Sequence, residues 1–181
     1  MIDFTDLDKN LPGGDNMGGL IQKVYFGRHE DVANWPTKPV APTTLALAAV
    51  LTGDLVMKSG KKMSEMYLTD DTGEFKIDPV GEIDGKSFVE NLSFFHPGLN
   101  EDAIGFMNLS KNESLVFIVV DSSGQKYLMG DELRPAINVG GKDGATTGKE
   151  TSSRRGMTFA FSYKCANVLL YKGNIPLTPA V

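Results

Sequence analysis

Cysteine, histidine and tryptophan are nearly missing from this chain: among 181 residues only Cys165, His29, His96 and Trp35 are of these types. A single cysteine excludes an internal disulfide and fits a reducing compartment. The two histidines stand far apart, and His96 is followed at once by Pro97, so neither sits at metal-ligand spacing with the other. Basic charge is short as well. Lys and Arg number 18 against 23 Asp and Glu, a net charge of −5, which excludes the basic footprint of a nucleic-acid-binding surface. Long apolar runs are lacking too: the stretch from Leu45 to Leu51 falls well below the ~20 residues needed to cross a bilayer. In place of a basic-plus-apolar leader, Met1 leads into Asp6, Asp8 and Lys9. We therefore expect a soluble protein, made in the cytoplasm and free of membrane contact.

Turn and strand chemistry is plentiful. The chain has 20 Gly, 9 Pro, 10 Phe and 5 Tyr, with 41% hydrophobic residues, enough for one ordinary core. Leu115-Val116-Phe117-Ile118-Val119-Val120 is a buried-strand run; Asp121-Ser122-Ser123-Gly124 reverses it, and Gln125 to Met129 returns as a hairpin. Met157-Thr158-Phe159-Ala160-Phe161-Ser162-Tyr163 alternates large and small residues, which predicts a strand burying the Met157, Phe159, Phe161 and Tyr163 face. Earlier strands are read at Leu20–Phe26, Leu45–Met57 (bent at Gly53-Asp54), Lys61–Thr69, Glu74–Glu82 and Lys86–Phe95. In the last of these Phe88, Leu92 and Phe94 share a face. One helix is expected at about 99–110, capped by Asn100, with Glu101 and Asp102 at the positive end of its dipole. The fold class is mainly β, an antiparallel β-sandwich or barrel with one flanking α-helix and long loop arms. Residues 1–19 form a flexible N-terminal arm, 20–175 a single β-rich domain holding a long loop arm at 130–156, and 176–181 a tail.

Catalytic and ligand motifs fail on inspection. Asp6-Leu7-Asp8-Lys9-Asn10 begins like a calcium loop, but Leu11 replaces the required glycine and Met17 the closing glutamate. Gly148-Lys149 lacks both the earlier glycine of a phosphate loop, where Asp143 stands, and the following Ser or Thr, where Glu150 stands. No Gly-X-Ser-X-Gly elbow occurs, and Cys165 reads as a structural thiol. His29 beside Glu30 and Asp31 reads as a charged turn. The Asn-X-Ser sequons at Asn91, Asn108 and Asn112 carry no weight without secretion. No enzyme, cofactor or metal site is expected. Two features remain. Trp35 sits on the proline-stiffened segment Trp35–Pro42, as an aromatic anchor for this subunit or a neighbour. Lys142, Lys149, Arg154 and Arg155 make a positive patch on the arm of an acidic protein, suited to self-assembly against an unlike surface.

Gly124-Gln125-Lys126-Tyr127-Leu128-Met129-Gly130, then Arg134-Pro135-Ala136, a glycine- and threonine-rich arm, and Arg155-Gly156-Met157-Thr158-Phe159-Ala160-Phe161 together resemble tail tube and related virion structural proteins of tailed bacteriophages, in particular those of Bacteroidetes-type hosts. The resemblance spans roughly residues 45 to 171. It implies a β-sandwich or barrel with a flanking helix, hexameric rings stacked into a hollow tube, arms bridging neighbours, and no catalytic residues. It implies as partners other copies of the chain and other virion proteins, with DNA only as passing cargo, and a place in the virion tail. An acidic protein suits a lumen through which DNA slides without sticking. Two rivals stand beside it: a head decoration or head–tail connector protein, and a monomeric ligand-binding β-sandwich with Trp35 and Tyr127 as platform aromatics.

Overall fold

A computed structural model of the chain describes residues 2, 4–7, 17–140 and 144–180. The strands are β1 (Leu20–Arg28), β2 (Val32–Asn34), β3 (Val50–Leu51), β4 (Val56–Met57), β5 (Ser64–Tyr67), β6 (Glu74–Val80), β7 (Ser87–Pro97), β8 (Leu115–Asp121), β9 (Lys126–Met129), β10 (Ile137–Asn138), β11 (Ala145–Thr146), β12 (Gly156–Cys165) and β13 (Leu170–Tyr171). Among the described residues two α-helices interrupt them, α1 (Leu45–Ala48) and α2 (Glu101–Ser110), with a 3-10 turn at His29–Asp31. The protein is mainly β. A first sheet runs in the order β3-β13-β9-β8-β1-β5, and a second in the order β10-β12-β7-β6, with β11 also on β12. Every pairing in them is antiparallel except β13 with β3. Strands β2 and β4 form a small third sheet.

All six residues from Leu115 to Val120 are buried, and the pleat of β8 divides them between two cores. Leu115, Phe117 and Val119 face the second sheet, where they join Leu92, Phe94, Phe159 and Phe161. The Phe117 and Phe161 rings lie 4.4 Å apart, and Phe106 of α2 reaches in with its ring 5.2 Å from Phe159. Val116, Ile118 and Val120 face the other way, into a cluster with Leu55, Met57, Met63 and Tyr171. That second cluster is roofed by the chain between β2 and β5. Tyr171 ties the roof down: its hydroxyl accepts from the Leu55 N–H at 2.9 Å and donates to the Asn174 carbonyl at 2.6 Å.

The helix expected at about 99–110 forms as α2, and the Asn100 side chain accepts from the Ala103 N–H at 2.9 Å, as its capping role requires. The face of Met157, Phe159, Phe161 and Tyr163 is buried as read. Two expectations need correction. Leu45–Met57 is not one bent strand: Leu45–Ala48 makes a helical turn, with Thr44 Oγ1 accepting from the Leu47 N–H at 3.2 Å, and only β3 and β4 are extended. Alanine and leucine behind a threonine cap favour that turn. The 130–156 arm is not a loose loop either. At 137–139 and 144–146 it lies antiparallel along the free side of β12, through Ile137 opposite Ser162, Val139 bonded to Ala160, Gly144 to Thr158, and Ala145 opposite Met157. Residues 147–155 form the turn that joins β11 to β12. Short polar strands interrupted by glycine carry little periodicity, so the sequence hides them.

Phe161 touches aromatic rings from β7, β8 and α2, so truncating it opens a cavity that no single neighbour can close. Phe161→Ala should cost about 3–5 kcal/mol and lower the melting temperature by roughly 10 °C, read by circular dichroism. A shift of a degree or two would contradict the packing described.

Candidate functional site

Strand β7 carries a carboxylate where its pattern calls for an apolar residue. Glu90 shares parity with Phe88, Leu92 and Phe94, and is only 3% exposed. It stands opposite Tyr163 of β12. Its Oε1 accepts from the Cys165 thiol at 3.6 Å, while Oε2 has no hydrogen-bond partner among the described residues. Burial raises the Glu90 pKa from 4.5 to about 7, with the Cys165 contact opposing the shift weakly. Burial, together with the Glu90 charge, pushes the thiol up to about 12, so Cys165 remains a protonated donor. Tyr163 is held well above its usual value, chiefly by burial and then by Asp131.

Glu90 and Tyr163 lie in the wall of a cleft of about 440 Å³. Trp35, Pro36, Leu51, Leu128 and Leu169 supply its apolar surface, and Lys38, Asp131 and Glu132 its polar rim. Trp35 is positioned by His29, whose ring lies 5.0 Å away. His29 in turn contacts the Asp131 carbonyl through Nε2 at 2.6 Å. Asp131 organises the rim: Oδ1 accepts from the N–H groups of Leu133 and Arg134 at 3.0 and 2.9 Å, and Oδ2 pairs with Lys38 Nζ at 2.9 Å. Burial favours its neutral form, but the Lys38 bond and the Leu133 N–H outweigh this and hold the pKa below the usual carboxylate range. Leu133 and Val40 stand at the opening, almost fully exposed.

Of the assembly candidates singled out from the sequence, only Trp35 among the described ones belongs to this cleft. Arg154 lies over the Phe95 ring at 4.4 Å, and Arg155 donates to the Leu99 carbonyl at 3.2 Å. Both are bound to their own subunit, at the Gly156 end of β12. Tyr163 is seven residues further along, roughly 23 Å away at the strand rise, so the arm's cations and the Trp35 cleft are separate features. Lys149 is exposed on the hairpin tip and forms no ion pair with a described residue. Lys142 and most of the abortive calcium-loop stretch lie outside the described residues. Tyr127 packs tilted against Phe75, ring centroids 4.7 Å apart, and does not line the cleft. Glu90 was missed, although one signal was available: a charge on the inward parity of a strand otherwise apolar on that face. Among the described residues no group of three His, Cys, Asp or Glu could hold a metal ion. Comparison with protein-family models, with curated proteins and with solved structures yields no match.

A carboxyl whose pKa rises on folding favours the native state most when protonated. The contribution is complete below pH 4.5, is lost as pH climbs to about 7, and is flat beyond. The loss amounts to roughly 3 kcal/mol. Urea midpoints measured across this window should therefore fall with rising pH. Glu90→Gln should remove most of that slope, and an unchanged slope in the variant would assign it elsewhere.

Proposed function

We propose that this chain is a self-assembling structural virion protein, the tube-forming component of a bacteriophage tail, which joins head to tail into rings that stack. One observation carries the reading: among the described residues the second sheet has an open edge at β6 and a mostly open one at β10 and β11, where Ala136 alone bridges to Leu115 of β8. Among the described residues β6 pairs only with β7, while β10 and β11 pair only with β12. Both edges expose large apolar side chains, Ile137 and Val139 on one and Val80 with the adjoining Ile83 on the other. An open edge is a template for another strand. Because the two edges are unlike, joining one to the other is a heterologous contact, and such contacts close into rings by rotation.

The outward face of this sheet supports the same reading. Its parity places Val89, Asn91, Ser93, Phe95, Thr158, Ala160, Ser162 and Lys164 outward, of which Phe95 and Ser162 are buried, with the Lys76–Asp78 ion pair at 2.8 Å on β6. A ring continued along the sheet would present this mixed face to a lumen, with Lys76 paired to Asp78, Arg154 laid over Phe95 and Lys164 exposed. The arm serves such a ring by fixing the β10 edge, and its turn at 147–155 offers exposed Lys149 to a neighbour. A head decoration or connector protein would use the same edges without stacking. A second reading, a ligand-binding β-sandwich, is favoured by the Trp35 cleft alone.

Purified protein should give rings or tubes by negative-stain electron microscopy and a fast boundary in sedimentation. Ile137→Lys with Val139→Lys puts charge on side chains already about half exposed, so the monomer should keep its circular dichroism spectrum and lose the fast boundary. Rings that persist in the double variant would remove the β10 edge from the contact. A parent chain that stays monomeric at every concentration and salt would overturn the assembly reading.

A further inference from the structure

The Trp35 cleft holds a group that the fold leaves unsatisfied. Glu90 is 97% covered, and its Oε2 meets no partner among the described residues. A buried carboxyl in that state costs stability, and replacement by an apolar residue would restore the inward pattern of β7. The cleft beside it is large enough for a small organic molecule.

The geometry points to a binding site for a primary ammonium group on an apolar stem, with the ammonium paired to Glu90 and the stem laid against Trp35, Leu128 and Leu169. The surrounding charges choose the sign of the ligand. From the loop after β9, Asp131 and Glu132 add carboxylates to Glu90, and the only cation in the lining is Lys38, already committed to Asp131. The neighbours on β12, Cys165 and Tyr163, and Tyr127 on β9, all have raised pKa values and stay neutral around pH 7. Among the described residues, no cation beside Glu90 therefore neutralises it when it ionises. Oε2 is itself covered, so engagement needs a turn about the terminal torsion of Glu90, which is a soft one. A lysine side chain from another copy and a free amine share this chemistry. The site does not depend on the assembly reading, and its test is made separately.

Titration calorimetry with n-butylamine, using n-butanol as the uncharged control, decides the matter. The amine stays protonated from pH 6 to pH 8, whereas the ionised fraction of a carboxyl titrating near 7 rises about tenfold over that range. Butylamine should therefore bind about tenfold more tightly at pH 8 than at pH 6. Glu90→Gln should abolish binding, and Leu133→Arg, at an exposed position on the opening, should weaken it severalfold without touching the core. Butanol should not bind measurably. Equal binding of butanol, affinity that does not change with pH, or affinity that survives Glu90→Gln would overturn the proposal, as would no binding at millimolar amine. Sedimentation of Glu90→Gln and Lys149→Gln then identifies the source. Matching loss of association in both variants assigns the ammonium to the hairpin tip of another copy; unchanged association beside lost butylamine binding assigns it to a free amine.

Discussion

Burial of β8 on both faces is the constraint from which the rest of this structure follows. A strand with apolar side chains on both parities cannot rest one face in water, because each such side chain contributes about 1.5–3 kcal/mol when removed from it. The second sheet and α2 cover the face of Leu115, Phe117 and Val119. The other face cannot be covered by a third full sheet, for the chain has no strands left to build one. It is covered instead by the irregular run from Val32 to Met63, a mixture of short strands, one helical turn and proline-stiffened backbone. The Trp35 segment thus has a structural reason to exist. It is part of a roof, and the cleft lies where that roof meets the rim built by Asp131.

The same constraint separates the two sheets in character. The first sheet is committed on both faces, and its edge strands β3 and β5 are only two and four residues long. Little of that sheet remains for a neighbour. The second sheet is committed on one face, ends in the seven-residue β6, and is extended on its far side by a discontinuous strand from the arm. Edges of that kind are ordinarily blunted by charge and proline, and β6 does carry Lys76, Asp78 and Pro79. Its exposed Val80, with Ile137 and Val139 opposite, leaves the blunting incomplete. A proposal of ring formation rests on that incompleteness rather than on the cationic patch, whose two arginines are held by their own subunit.

Glu90 is the place where local pattern and global packing disagree. Every other residue on the inward parity of β7 between Phe88 and Phe94 is apolar. A lone carboxyl there weakens the core above neutral pH, and its thiol neighbour satisfies only one oxygen. Such conflicts concentrate at functional positions, since packing alone would select against them.

The sequence by itself determined the strands with strong periodicity and the one long helix. β1, β7, β8, β12 and α2 were readable because alternation, an unbroken apolar run and an Asn cap each act within a few residues. The inward set of Met157, Phe159, Phe161 and Tyr163 followed from parity alone. Tertiary structure decided what depends on partners distant in the chain. It decided that Leu45–Ala48 coils under its threonine cap, and that the glycine-rich arm lies along β12. It also decided that β8 serves two cores, and that Trp35, Asp131 and Glu90 converge although they come from three separate segments. Local propensity is a sum over neighbours in sequence, whereas a cleft is a coincidence in space. Only the register of β7 against β12 brings Glu90 opposite Tyr163 beneath the Trp35 roof.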